Sequence, residues 1–138
     1  MRPLNGILAL ALLMALGVPG KANAMLPPHY YDQARRDAPN VVMIEVERVE
    51  TLGPLSCAVH GRVLRMERGR LYRRNDAVRI EMPCIGHEPA NPPAGGAIYQ
   101  DTAQLRASRY GRAYLNDQGE LMLSQYQIMD RANAPPPG

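Results

Sequence analysis

The chain has 138 residues, of which 46% are hydrophobic and 21% are charged, a length and composition that predict one small domain. It carries 16 basic and 13 acidic residues, a formal net charge of +3. Arg2 and Lys21 belong to a predicted leader, and the remaining residues are nearly neutral overall. The net charge of the chain is therefore not evidence for binding to a polyanion.

The first 24 residues have the pattern of a secretory signal peptide. Arg2 precedes an apolar run over residues 7–18, and Ala22-Asn23-Ala24 forms an A-x-A cleavage site. The run is 12 residues long, which is too short for a membrane-spanning helix, so no transmembrane segment is predicted in the mature chain. We therefore expect cleavage after Ala24 and a periplasmic or secreted protein.

Residues 25–130 are predicted to form a single domain that begins with a short helix. The segment from His29 to Ala38 is suited to a helix, which must end before Pro39 because a residue that precedes proline avoids helical geometry. A strand follows over Val41–Glu50, where apolar residues alternate with Met43 and two glutamates.

The next two strands are predicted to pair as an antiparallel hairpin, Ser56–Met66 with Asp76–Cys84. Placing Cys57 opposite Cys84 gives one apolar face and one polar face, on which His60 opposes Glu81. Two cysteines in an exported chain predict a disulfide. A bridge that closes this loop stabilises the fold by about 3.5 kcal/mol in the chain-entropy model.

The rest of the chain is predicted to hold two further strands and two irregular segments. Residues 86–97 are rich in proline and glycine and are predicted to form a loop, and Ile98–Arg106 is suited to a helical turn or a strand start. The strands are expected over Ser108–Leu115 and Glu120–Met129, around a turn at residues 116–119. The tail, residues 131–138, ends in Pro-Pro-Pro-Gly and is expected to be disordered.

Five strands with an irregular or helical stretch between the third and fourth predict an all-β fold with small α content, a five-stranded OB-like Greek-key barrel with one N-terminal helix and one disulfide. Four features of the sequence are relevant to a family resemblance: the entry into the first strand (residues 38–46), the long second strand ending at Arg68-Gly69, the third strand closing on Cys84 and the turn within residues 114–121. In these features, residues 29–130 resemble the netrin-like/TIMP-like branch of the OB fold.

The resemblance implies a shape and a tendency to bind other macromolecules. Inhibitors of that family chelate the zinc of a protease with an N-terminal cysteine, whereas the predicted mature N-terminus here is Met25-Leu26-Pro27. That inhibitory mechanism is therefore not transferred to this chain.

Catalytic and metal-binding patterns are weak. Cys57, His60 and Glu81 contain the groups of a nucleophile with a base, but the predicted hairpin places Cys57 and His60 on opposite faces. The three histidines His29, His60 and His87 lack the spacing of a metal site, and the scattered methionines are better suited to core packing. We expect no catalytic residues, no metal and no cofactor.

The strongest non-random feature is a cluster of seven arginines between residues 62 and 79, which with Glu67 and Asp76 gives a local net charge of +5. Tyr110, Arg112 and Tyr114 share one face of a predicted strand, and tyrosine and arginine are common at protein interfaces. The alternative interpretation of the arginines is a solvated hairpin with no binding role. The alternative interpretation of the tyrosines is that they complete the barrel wall. The candidate binding residues are Arg62, Arg65, Arg68, Arg70, Tyr72, Arg73, Arg74, Arg79, Tyr110, Arg112 and Tyr114.

The leading functional hypothesis is an exported, non-catalytic binding module of the cell envelope or secreted fraction. Its partner is expected to be a protein or an anionic envelope polymer, bound through the arginine-rich hairpin. Nucleic acid is not expected, because the predicted leader places the chain outside the cytoplasm. The alternatives are an inhibitor of an extracellular or periplasmic hydrolase, suggested by the fold resemblance, and a small enzyme. The sequence does not indicate an oligomeric state.

Overall fold

A computed structural model describes residues 26–86 and 95–135 of the chain. The predicted leader, His87, most of the proline- and glycine-rich loop and the last three residues lie outside the described residues. The fold of the described residues is mostly β, with a sheet curled into a half-barrel and two helices. Within residues 26–86 and 95–135, neither helix has the length and apolar character needed to cross a bilayer.

The sheet contains six strands among the described residues, one more than the five predicted. The additional strand has only two residues and runs parallel to its neighbour, so it carries no alternation that a sequence pattern could show. The strands are β1 (Asn40–Gly53), β2 (Ser56–Arg68), β3 (Ala77–Ile85), β4 (Gln100–Asp101), β5 (Tyr110–Leu115) and β6 (Leu121–Met129). The helices are α1 (Pro28–Asp37) and α2 (Thr102–Ala107).

The strands lie in the order β4-β3-β2-β1-β5-β6, with β1 at the centre of the long strands. The pairs β1–β2, β2–β3, β1–β5 and β5–β6 are antiparallel. Curling brings β3 and β6 into contact, yet the ladders of the described residues do not join these two strands. The gap between them leaves the half-barrel open along one side.

The predicted disulfide between Cys57 and Cys84 is confirmed, with its two Cα atoms 5.8 Å apart. The predicted register of this hairpin is wrong by two residues, because Cys57 pairs with Met82 rather than with Cys84. The bridge therefore runs diagonally across the ladder. A two-residue shift preserves the side-chain period, so the predicted buried and exposed faces of β2 and β3 are nevertheless correct.

The long β1–β2 pairing contains several irregularities that redirect side chains. Val41 pairs with Arg68 and Val42 pairs with Met66, so Glu67 is the extra residue of a β-bulge. A bulge interrupts the strict alternation of faces. The side chains of Glu67 and Arg68 consequently contact groups on the same side of the sheet, which regular pleating would forbid.

The inner side of the curled sheet holds the main hydrophobic core. It is built from aliphatic side chains of β1, β2 and β3, both cysteines, Leu105 of α2 and Tyr126 of β6. The outer side of β1 and β5 carries a second, smaller cluster in which Ala38, Val41 and Tyr114 pack together next to α1. The first part of β1 is therefore covered on both sides of the sheet.

The two helices begin and end where local chemistry favours it. Helix α1 has Pro28 in its first turn, where proline loses no intrahelical bond, and Arg35 and Arg36 in its last turn, where cations favour the helix dipole. Asp101 caps α2, since its carboxylate accepts a 3.0 Å hydrogen bond from the backbone N–H of Gln104.

The β5–β6 hairpin contains the predicted turn and an unpredicted bulge. Backbone hydrogen bonds between Asn116 and Gly119 and between Asn116 and Glu120 close the turn. Beyond it, β6 contains extra residues relative to β5, and Leu123 and Ser124 have φ angles of 45° and 60°. This left-handed backbone is uncommon for residues other than glycine and costs about 1–3 kcal/mol per residue.

Candidate functional site

The candidate arginines divide into three groups according to what their side chains contact. The first group lies on the outer side of the sheet, where Arg65 and Arg112 contact the C-terminal segment and Arg68 contacts the end of α1. Arg112 donates from Nε to Glu67 Oε1 at 2.6 Å and from a terminal nitrogen to Glu67 Oε2 at 3.2 Å. The side chains are 5% and 3% exposed, so Arg112 is not available to a ligand in this structure.

Arg65 and Arg112 also hold the start of the predicted disordered tail. Arg65 donates to the carbonyl oxygens of Ala132 at 2.6 Å and Ala134 at 3.0 Å, and Arg112 donates to that of Pro135 at 2.7 Å. Ala134 is only 5% exposed. Residues 132–135 are thus anchored by side chains distant in sequence, while residues 136–138 lie outside the described part of the chain.

Arg68 stabilises the end of α1. One of its terminal nitrogens donates to the carbonyl oxygens of Arg35 at 2.9 Å, Arg36 at 3.2 Å and Ala38 at 2.8 Å. The last carbonyls of a helix have no partner within the helix, and a cation at this end favours the helix dipole. We therefore assign Arg68 a role as a helix cap.

The second group lies on the open, outer face of β1, β2 and β3. Arg62 contacts Glu47 at 3.3 Å, and Arg79 contacts Glu81 at 2.5 Å. These arginine side chains are 53% and 44% exposed, so such pairs contribute little to stability. This face carries compensating charges and is well suited to contact with water.

His60 belongs to the same face, but its partner differs from the prediction. Its Nε2 lies 2.8 Å from Glu50 Oε1 on β1, and Arg79 rather than Glu81 stands opposite it on β3. The predicted pairing with Glu81 is wrong because the hairpin register is shifted by two residues. The hydrogen bond with His60 lowers the pKa of Glu50, with a smaller contribution from Arg79.

The third group is the loop between β2 and β3, residues 69–76, which we name the arginine tip. Arg70, Arg73 and Arg74 are exposed, and no salt bridge found among the described residues involves them. The backbone N–H of Arg73 is bonded to Asp76 Oδ2 at 2.8 Å. The tip therefore presents three guanidinium groups without an acidic partner in this part of the structure.

The arginine tip is anchored at its C-terminal end and in its middle. Backbone hydrogen bonds join Val63 to Asn75 and Asp76, at 2.8 and 2.9 Å. Leu71 and Tyr72 pack against the inner hydrophobic core, and burial raises the pKa of Tyr72. Because the apolar residues of the loop are anchored inward, the loop is ordered before any ligand binds, which lowers the entropic cost of binding.

The three candidate tyrosines are not placed together on one free surface. Tyr114 is fully buried, donates to Gln127 Oε1 at 3.2 Å, and has its pKa raised by burial. Tyr110 is half-buried, and the guanidinium carbon of Arg109 lies 5.3 Å from the centre of its ring. Tyr72 is the only one of the three within the arginine tip.

A polar cleft that no sequence pattern predicted lies beside the arginine tip. It has a volume of about 420 Å³ and opens between the outer side of β3 and the β5–β6 hairpin. A Cβ atom added to Gly119, in the cleft wall, would be 2.8 Å from the hydroxyl oxygen of Tyr72, so cleft and tip adjoin. Its polar lining includes Arg79, Glu81, Gln118, Glu120 and Ser124. The cleft forms between strands that are distant in sequence. The predicted turn at residues 116–119 is the part of its lining that a local pattern indicated.

A second, more apolar pocket of about 430 Å³ lies where α2 meets the end of β6. Ala107, Ile128 and Met129 supply its apolar walls, and Arg109 and Asp130 stand at its rim. It contains none of the candidate binding residues named above. We assign it no role.

The structure excludes Cys57 as a catalytic nucleophile, and the described residues contain no cluster of potential metal ligands. Cys57 is bonded to Cys84 and is therefore not a thiolate nucleophile. Within residues 26–86 and 95–135, no three histidine, cysteine, aspartate or glutamate side chains are grouped as metal ligands. His87 lies outside those ranges.

Comparison of the chain with protein-family models, with curated proteins and with solved structures gave no match.

Proposed function

We propose that the chain is an exported, non-catalytic binding module that engages an anionic partner through the arginine tip. The observation that carries the proposal is the group formed by Arg70, Arg73 and Arg74, which are exposed and lack salt-bridge partners in the described structure. Guanidinium groups recognise phosphate, sulfate and carboxylate through paired hydrogen bonds. A cationic loop held in place by buried neighbours suits this task.

The site proposed here is narrower than the seven-arginine cluster of the sequence. Arg65 and Arg68 bind backbone carbonyls of other segments, while Arg62 and Arg79 contact glutamates on the outer sheet face. Their contribution to binding is expected to be smaller than that of the tip, because a ligand has to compete with these internal partners.

The strand order supports an OB-like barrel as the scaffold. Without the two-residue β4, the five long strands lie in the order β3-β2-β1-β5-β6, and α2 stands between the third and fourth of them in sequence. A partly open, five-stranded barrel is the architecture of the OB fold. The resemblance to the netrin-like/TIMP-like branch remains a part of the proposal.

Export is supported by two independent features. The leader pattern ends at Ala24, and the disulfide between Cys57 and Cys84 is of a kind that persists in oxidising compartments. Intact mass spectrometry of the protein from its native cell tests this part. We expect loss of residues 1–24 and a mass two hydrogens below that of the dithiol.

Binding to dextran sulfate, a polyanion without sequence or defined shape, tests the site. We expect the triple variant Arg70→Ala, Arg73→Ala, Arg74→Ala to bind at least ten times more weakly than the unaltered protein, since each lost contact with an anion is worth about 0.5–1 kcal/mol. The matched control replaces Arg36, Arg48 and Arg131 by alanine, which removes the same charge from exposed positions elsewhere.

Equal losses in the two triple variants would show that only net charge matters and would contradict the proposal. An unchanged affinity of the tip variant would contradict it as well. Circular dichroism on both variants confirms that the fold is retained, which we expect because the replaced side chains are exposed.

A further inference from the structure

The arginine tip and the polar cleft differ sharply in charge although they adjoin. The tip presents three arginines, whereas the cleft combines Arg79 with two carboxylates, those of Glu81 and Glu120. A uniformly charged ligand that covered both regions would meet repulsion in the cleft. The arrangement instead favours a ligand whose anionic groups are separated by neutral, polar portions.

The lining of the cleft is suited to hydroxyl groups. Glu81 and Glu120 offer acceptors, while Gln118 and Ser124 offer both donors and acceptors. Pro83 and Leu121 add apolar surface next to these groups. A sugar ring presents the complementary chemistry, with hydroxyl groups at its edge and C–H groups on its faces. The cleft volume of about 420 Å³ lies within the usual range for small-molecule sites.

The wall that joins the two regions is held in a fixed shape. Gly119 has a φ of 82° and lies so near the hydroxyl group of Tyr72, a residue packed against the core, that an added Cβ atom would be 2.8 Å from the hydroxyl oxygen. Asn116 Oδ1 accepts hydrogen bonds from the backbone N–H groups of Gln118 and Glu120, both at 2.9 Å. The cleft therefore exists before a ligand arrives.

We infer that the tip and the cleft form one extended site for an acidic oligosaccharide, a sugar chain that carries sulfate, phosphate or carboxylate groups. The anionic groups bind Arg70, Arg73 and Arg74, and a neighbouring sugar ring enters the cleft against Gln118 and Ser124. This inference rests on the proposed function and specifies the ligand class of the same site.

Calorimetric titration of the disulfide-bonded protein with four probes tests the inference. The probes are a sulfated tetrasaccharide, neutral maltotetraose, inorganic tripolyphosphate and a single-stranded tetranucleotide. We expect the sulfated tetrasaccharide to bind at least ten times more tightly than each of the others. Tighter or equal binding of tripolyphosphate or of the tetranucleotide overturns the inference, since charge alone then explains the binding.

A charge-neutral cleft variant separates this inference from the proposed function. We expect Gln118→Ala with Ser124→Gly to weaken the tetrasaccharide at least fivefold and to leave tripolyphosphate unchanged. The control, Gln104→Ala, alters an exposed glutamine of α2 and should change neither affinity. If the cleft variant binds the tetrasaccharide normally while the tip variant does not, the inference fails and the proposed function stands. If the tip variant also binds normally, both fail.

Discussion

Glu67 and Arg112 form a two-point ion pair beneath the C-terminal segment, with distances of 2.6 and 3.2 Å and side chains that are 3% and 5% exposed. Glu67 reaches this position because it is the extra residue of a β-bulge in β2. The pair joins β2 to β5 across the central strand, and Arg112 also bonds to the tail carbonyl of Pro135. No local sequence pattern predicts this contact, because the two residues are 45 positions apart.

Removal of one partner of this pair leaves an uncompensated buried charge. We expect Glu67→Gln to lower the free energy of unfolding by about 3 kcal/mol, measured by urea denaturation followed by circular dichroism. The exposed pair between Glu47 and Arg62 is the matched control, and Glu47→Gln is expected to cost less than about 1 kcal/mol. Equal effects of the two substitutions would show that burial does not govern the Glu67 pair.

The disulfide is the main covalent constraint on the fold. Cys57→Ala with Cys84→Ala should lower the free energy of unfolding by at least about 3.5 kcal/mol, because the bridge restricts the unfolded chain and both sulfur atoms lie in the core. Denaturation of the unaltered protein in reductant provides an independent measurement of the same loss. A decrease below about 1 kcal/mol in both experiments would contradict this prediction.

Tyr126 carries a buried hydroxyl that has no hydrogen-bond partner among the described residues and is directed at Gly111. Burial raises its pKa. Because an unpaired polar group is costly inside a core, Tyr126→Phe should raise the free energy of unfolding by about 1 kcal/mol. Tyr114→Phe is the matched control, in which loss of the bond to Gln127 should cost about 1 kcal/mol. Destabilisation by Tyr126→Phe would indicate that this hydroxyl has a partner.

Glu50 is expected to show the clearest pH dependence. Its bond with His60 lowers its pKa below the ordinary value of 4.5, so this carboxylate stabilises the fold above that pH and the contribution is lost as pH falls through the lowered pKa. We expect His60→Leu to raise the pKa of Glu50, observed by NMR titration of its carboxyl carbon. The variant should also lose less stability than the unaltered protein between about pH 5 and pH 3.

His29→Leu serves as the control for this titration, since His29 is exposed on α1 and makes no bond to Glu50 in the described structure. A Glu50 pKa that stays the same in the His60 variant would show that the hydrogen bond is not its cause.

Local patterns predicted much of the fold. Proline placement bounded α1 to within one residue at each end, and the apolar alternation of β2 and β3 identified the side that faces the core. The turn at residues 116–119 was likewise visible in the sequence. The exact hairpin register was not, because shifts by two residues preserve the alternation and a diagonal disulfide satisfies the same cysteine pair.

The candidate site was only partly visible in the sequence. A run of arginines shows where positive charge is concentrated, but the free or paired state of each arginine depends on contacts with distant segments. Arg68 binds the end of α1, and Arg65 and Arg112 bind the tail. The cleft beside the tip was invisible because its walls come from β3 and the β5–β6 hairpin, which only curling of the sheet brings together.

The sequence by itself determined the mostly β character of the chain, the cysteine pair and the buried faces of β2 and β3, because side-chain alternation and turn chemistry act between near neighbours. The tertiary structure alone decided that Arg70, Arg73 and Arg74 lack ion-pair partners among the described residues, and that Glu67 lies against Arg112. The reason is that a β-bulge and the curl of the sheet redirect side chains according to long-range packing, which no local pattern encodes.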